Sequence, residues 1–153
     1  MPYSFDTNIW IDLDWRKIPR DSFPSLWARV ENAIDHDQIF ALDMVYDEIQ
    51  STKKTDDRLA AWMKDKRKAK PEFIIASEVE IQKIAIALIN KHKLISNADP
   101  FIVAAAKHKS HTLVCGEKKM KPTEKPRIPN LCEELGVPCI TLLELIKNEK
   151  WSF

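Results

Sequence analysis

Short apolar runs alternate with helix-period segments along the whole chain. The runs at residues 3–5, 38–42, 112–115 and 137–141 are brief and largely uncharged, and residues 73–76 are a shorter extended piece. Runs of this length, flanked by polar residues, read as buried strands. Between them, Phe23, Leu26, Trp27, Val30, Ala33 and Ile34 follow the i, i+3, i+4, i+7 spacing of an amphipathic helix. Ser22 stands as its cap, with Pro24 in the first turn, where a missing N–H does no harm. Further helices are expected over 8–13, over 43–49 with Asp43 as cap, and over 56–70 with Leu59, Trp62 and Met63 on one face. Ser77 and Glu80 have capping-box spacing ahead of a helix to about His92 that carries Val79, Ile84, Leu88 and Ile89. Asp99 and Pro100 open a buried helix containing FIVAAAK. Asn130 caps another, Gly136 suits its left-handed end, and residues 142–148 form the last. Residues 14–22, 53–55, 96–99 and 118–129 read as loops. Strands alternating with helices predict an α/β fold: a three-layer α/β/α sandwich around a mostly parallel sheet of four to five strands.

The chain has 153 residues, enough for one domain over 1–153 that buries about 70% of its unfolded surface. Only two glycines occur, so a glycine-rich phosphate loop is excluded. Cys115, Cys132 and Cys139 form no CxxC pair, which argues for buried thiols over zinc or disulfides. No uncharged apolar run approaches the roughly 18 residues of a membrane span, and no signal-peptide pattern precedes the first strand, so a cytoplasmic protein without a membrane partner is expected. Charge is uneven: residues 1–50 hold ten acids and four bases, and the remainder thirteen acids and twenty bases. Such a split suits an acidic centre beside a polyanion-binding face, and equally suits solvated helix surfaces.

Open α/β sheets place their sites beyond the carboxyl ends of the strands. Asp6 follows the first strand, Asp43, Asp47 and Glu48 follow the second, Glu117 follows the third long one, and Asp99 heads the buried helix before it. Several carboxylates should therefore meet at one edge of the sheet. Crowded carboxylates repel, and a divalent cation resolves the conflict; oxygen ligands without a His/Cys cluster select Mg²⁺ or Mn²⁺. Taken singly, each acid also has an ordinary role as helix cap or surface charge. Lys118, Lys119, Lys121, Lys125 and Arg127 lie just beyond Glu117, positioned to hold phosphates. Lys64, Lys66, Arg67, Lys68 and Lys70 read as solvated surface. Trp10, Trp15, Trp27 and Trp62 read first as core, although Trp10 and Trp15 could stack on bases. His92, His108 and His111 show no ligand spacing.

The segments FDTN, VYDEI, NADPFIVAAA and VCGE, in this order, resemble the PIN-domain nucleases, and RIPNLCEELGVPCITLLELI resembles the terminal helix–strand–helix of that fold. By this resemblance Asp6, Glu48 and Asp99 match the three main acids, and Glu117 a fourth position that is often Asp. Asn8 matches a supporting polar position, and Thr7 could orient Asp6. The resemblance implies Mg²⁺- or Mn²⁺-dependent hydrolysis of RNA, with one or two ions on Asp6, Asp99 and Glu117 and Glu48 completing the shell. It also implies a homodimer and a toxin silenced by a protein antitoxin. The insert at 53–76 and the Lys-rich loop at 118–127 mark a divergent subgroup. Two alternatives are a catalytically silent PIN-like RNA- or protein-binding module and an Asp-dependent phosphoryl-transfer enzyme. The latter wants a second Asp two residues after the first, where this chain has Asn8.

Overall fold

The computed structural model describes residues 2–51, 57–95 and 97–153, with the side chains of Trp15 and Asp57 excepted. The expected break at 53–55 and any stacking by Trp15 lie outside the described residues. Five strands, β1 (Tyr3–Phe5), β2 (Ile39–Leu42), β3 (Ile74–Ile75), β4 (Thr112–Val114) and β5 (Cys139–Ile140), form one sheet in the order β3-β2-β1-β4-β5. Every pairing is parallel; Tyr3 lies between Ile39 and Thr112, and Phe5 pairs with Val114. Parallel neighbours need crossover connections, supplied here by helices α1 (Thr7–Ile11), α2 (Pro24–Asp35), α3 (Asp43–Ser51), α4 (Asp57–Ala69), α5 (Val79–His92), α6 (Ala98–Lys109), α7 (Ile128–Leu135) and α8 (Leu142–Asn148). Strand order reverses between β1 and β4, which makes the crevice beyond their carboxyl ends the switch point of the fold.

The strands are short and buried on both faces. Tyr3, Phe5, Ile39, Ala41, Leu42, Leu113 and Val114 are all buried, as a parallel sheet under helices requires. Trp10 is fully buried against Phe5, Trp62 and Phe73, with ring centroids 5.0, 5.8 and 5.7 Å away, and Trp62 meets Trp27 at 4.8 Å. The three tryptophans thus join α1, α2 and α4 into one apolar layer, and Trp62 Nε1 donates to Glu31. Among the described residues, no helix is long and apolar enough to cross a membrane.

Several local expectations are corrected. Residues 14–22 are not simply a loop: a π-helical turn, Asp12–Arg16, continues α1. Its acids are buried. Asp12 is gripped by Arg16 at 2.6 Å, and Asp14, with no exposed surface, by Arg20 at 3.1 Å and Arg58 at 3.8 Å. Arg20 in turn lies 4.2 Å over the Trp27 ring, so its charge is shared between a carboxylate and an aromatic face. Ser22 does not cap α2; Phe23 occupies the cap position without a side-chain bond. Asp43 opens α3 but its carboxylate accepts from the Ser77 backbone N–H at 2.8 Å and from the Ser77 hydroxyl. That commits both residues to tying β2 to β3, and Glu78, without a side-chain bond, caps α5. The buried stripe of α5 is Ile81, Ala85 and Leu88, while Val79 is exposed. Asn130 lies inside α7, accepting from the Arg127 and Met120 N–H groups. Gly136 does end α7 at φ +70°.

Removing Asp14 leaves Arg20 half-desolvated with its main counter-charge gone. Asp14→Ala is expected to cost about 3–5 kcal/mol, read as a lower urea midpoint at unchanged slope; a shift under ~0.5 kcal/mol would show the pair to be dispensable.

Candidate active site

The carboxyl edge of the sheet at the switch point brings four segments together. Asp6 leaves β1 in an extended conformation and caps α1: its Oδ1 accepts from the Ile9 N–H at 3.0 Å. A capping carboxylate normally sits in water, but this one is 1% exposed, and its Oδ2 is buried with no hydrogen-bond partner. Glu117 arrives from the turn after β4, and its Oε2 is likewise buried and unpartnered. The Glu117 N–H donates to Cys115 Sγ at 3.2 Å, which tightens that turn. Asp99 is in the first turn of α6, not at its cap; Asn97 takes the cap by accepting from the Asp99 N–H at 3.0 Å. Glu48, on α3, is exposed and accepts from the Thr7 hydroxyl at 3.0 Å.

The electrostatics tie these acids to one another. Burial pushes the Asp6 carboxyl up to about 7; the Ile9 N–H and the Cys115 thiol pull it down, and the charges of Glu117 and Asp99 raise it further. Burial, then the charges of Glu117 and Glu48, push Asp99 up to about 6, with Arg127 opposing. The Cys115 thiol is held well above its usual range, first by its hydrogen bond with Cys139, then by burial and the Asp6 charge. A negative hollow of this kind is where a hard cation is favoured, because it would satisfy orphaned oxygens and cancel the repulsion. The donors present, carboxylate oxygens from Asp6, Asp99 and Glu117, fit Mg²⁺ or Mn²⁺. Among the described residues, no group of three or more His, Cys, Asp or Glu side chains stands close enough together to hold a metal ion as the side chains lie.

The other expected residues are placed as follows. Thr7 holds Glu48 and not Asp6. Asn8 is half-buried on α1, with no hydrogen bond to the acids among the described residues. Asp43 is spent on Ser77, and Asp47 is exposed beside Glu48. Lys118, Lys121, Lys125 and Arg127 are exposed without an ion pair among the described residues, whereas Lys119 pairs with Glu133. The α4 bases are largely occupied at home: Lys66 binds Asp35, Lys70 binds Asp37, and Arg67 lies 4.5 Å over Tyr46. His92 bonds Glu134, and His111 is buried with Ser4 at 2.8 Å. Sequence reasoning missed Cys115 as a neighbour of Asp6; its place one residue before the Gly116–Glu117 turn was the available signal.

With this geometry established, the comparisons with known proteins carry specific weight. A sequence-family model described as a domain of unknown function (DUF4411) matches residues 3–153, and the chain belongs to that family. No curated protein matches it significantly. Among solved structures, the chain is similar to VapBC2 from Rickettsia felis bound to a DNA fragment from their promoter, at 20% identity and TM-score 0.57, covering 92% of this chain and 98% of that one. It is similar to FitAcB from Neisseria gonorrhoeae at 15% identity and TM-score 0.55, covering 90% and 96%. The third is FitAB bound to an IR36 DNA fragment, at 18% identity and TM-score 0.57, covering 91% and 94%. These likenesses show a PIN-like fold, with a five-stranded, all-parallel sheet flanked by helices.

A buried Asp raised from 3.8 to about 7 binds a proton in the folded state that the unfolded state has released. Its contribution is therefore lost as pH rises from about 4 to 7 and stays lost above. Asp6→Asn keeps an acceptor for the Ile9 N–H and removes the charge. Without divalent ions at pH 7.5, the variant is expected to be more stable than wild type by a few kcal/mol, with the gap closing by pH 4 in urea titrations. A variant less stable at both pH values would contradict the burial argument.

Proposed function

We propose that this chain is a Mg²⁺- or Mn²⁺-dependent endoribonuclease and the toxin of a toxin–antitoxin pair. The observation that carries this reading is the pair of buried, unpartnered oxygens, Asp6 Oδ2 and Glu117 Oε2, at the switch point of a PIN-like sheet. Asp6, Asp99 and Glu117 would hold the ion, with Glu48 closing the shell directly or through water. When bound, the ion would supply charge neutralisation at the phosphate and a hydrolytic water more acidic than bulk water. The protein's own contribution is positional. The Ile9 N–H fixes Asp6 by one oxygen and leaves the other available. The Thr7 hydroxyl restrains Glu48, and Lys118, Lys121, Lys125 and Arg127 draw the RNA backbone to an otherwise repulsive hollow.

The partner reading rests on the two-component assemblies that the fold resembles. An antitoxin would silence the enzyme by covering the acidic hollow, and a homodimer would present two such hollows.

The test is cleavage of a mixed RNA pool with Mn²⁺. Wild type is expected to leave 5′-phosphate and 3′-hydroxyl ends, and Asp6→Asn to lose more than about 100-fold, beyond the range typical of outer-shell changes. Thr7→Val, which frees Glu48 without touching Asp6, is expected to lose about 10-fold. Equal activity in wild type and Asp6→Asn would end the nuclease reading.

A further inference from the structure

Asp99 lines two hollows. One contains Asp47 and Glu48. The other, about 490 Å³ with its open mouth, is walled by Leu94, Ile95 and Leu131 and by the rings of Pro100 and Pro126, with Lys125 and Arg127 on its rim. Its chemistry is unlike the first. Ile95 is 76% exposed, an apolar side chain held out to water at the mouth of a cavity. Exposed apolar surface beside a cavity is favourable only once something covers it. Lys125 and Arg127 take no ion pair among the described residues, although Lys91, His92 and Lys119 nearby in the chain's fold each find a glutamate. Asn97, which lines both hollows, has committed Oδ1 to the cap of α6, which leaves its amide Nδ2 as an uncommitted donor among the described residues.

An apolar slot, two cations without an ion pair among the described residues, of which Arg127 also acts on Asp99, and one neutral amide match a nucleotide: a flat ring with acceptor edges, attached to a phosphate. A protein segment would satisfy the apolar walls, but the two cations on the rim favour an anion that every residue of the ligand carries. We propose that this pocket holds the unpaired base of the nucleotide adjoining the scissile phosphodiester, with Lys125 and Arg127 on its flanking phosphate and Asn97 Nδ2 donating to the base edge. The proposal rests on the ribonuclease reading and adds to it a base subsite. Because Asp99 belongs to both hollows, a base seated here places the neighbouring phosphodiester at the acids. A paired base cannot enter, so the subsite selects single strands.

The test reads binding apart from turnover. Eight-nucleotide RNAs, each with one abasic ribose at a different position, are titrated against the Asp6→Asn protein by fluorescence anisotropy. One position is expected to matter, its abasic form binding about 5- to 10-fold more weakly, as the loss of a modest apolar contact implies. Ile95→Ser, at an exposed site, should erase that position's effect with the melting temperature unchanged. Asn97→Ser, which retains a capping side chain, should reduce it. Replacing Lys125 and Arg127 together by Ala should weaken every RNA and lower the salt slope by about 1.4. A flat abasic scan, or an affinity indifferent to Ile95→Ser, overturns the subsite; the second result would leave the pocket to a protein partner. Position-dependent binding without metal-dependent cleavage by wild type would sink the nuclease reading and keep the pocket. Cleavage with a flat scan would do the reverse.

Discussion

One oxygen of Asp6 accepts the Ile9 N–H, and the other is buried without a hydrogen bond of ordinary geometry, although the Cys115 thiol also acts on the carboxyl. A carboxylate in that position is expensive: ionised, it lacks hydration and a counter-charge; protonated, it holds a proton well above its normal range. Folding alone would favour a neutral residue there, since Asn or Ser would cap α1 as well. The placement makes physical sense if the empty oxygen is meant for a ligand, and the second orphan, on Glu117, makes the same demand from the neighbouring strand. Two unpartnered carboxylate oxygens at one edge of the sheet, with raised carboxyls beside them, are the kind of cost that functional sites carry.

The scaffold explains how the demand is met without collapse. A parallel sheet whose strand order reverses between β1 and β4 opens a crevice where Asp6 and Glu117 both emerge. The layer built on Trp10, Trp27 and Trp62 holds α1 rigid behind Asp6. The π-helical turn then carries two more buried acids, but each has its arginine. The contrast is informative: Asp12 and Asp14 are neutralised within the fold, while Asp6 is not. The bases divide in the same way. Lys66 pins α4 to α2 through Asp35, whereas Lys118, Lys121, Lys125 and Arg127, in the loop after Glu117, are exposed and take no ion pair among the described residues.

The sheet, its parallel sense and the strand-end positions of Asp6 and Glu117 were legible because apolar runs and strand–helix alternation are local signals. Where the chain's polar residues would bond was not. Ser22, Asp43, Ser77 and Asn130 all looked like caps; Ser22 caps nothing, Asp43 and Ser77 bind each other across 34 positions, and Asn130 bridges back to Met120. Cap propensity is a short-range preference that a tertiary partner overrides. The inward face of α5, Ile81, Ala85 and Leu88, was not legible because apolar residues spread over most of its circumference, so periodicity alone does not say which side is buried. The segment after α1 looked like a loop because its charges read as solvated; only the fold shows Asp14 buried against arginines from before α2 and from α4. Thr7 was assigned to the right neighbourhood and the wrong carboxylate, a distinction that needs the rotamer.

The central claim, that the acids are gathered for a hard cation, is tested most directly by calorimetric titration of Mn²⁺ into the wild-type protein near pH 6.5. Parallel runs in buffers of different ionisation heat report the protons released. Asp6 and Asp99 both hold protons in that range, so binding is predicted to release about one proton per ion, with both the binding and the release disappearing in Asp6→Asn. Binding that survives unchanged in that variant, or no binding at millimolar Mn²⁺, would contradict the account.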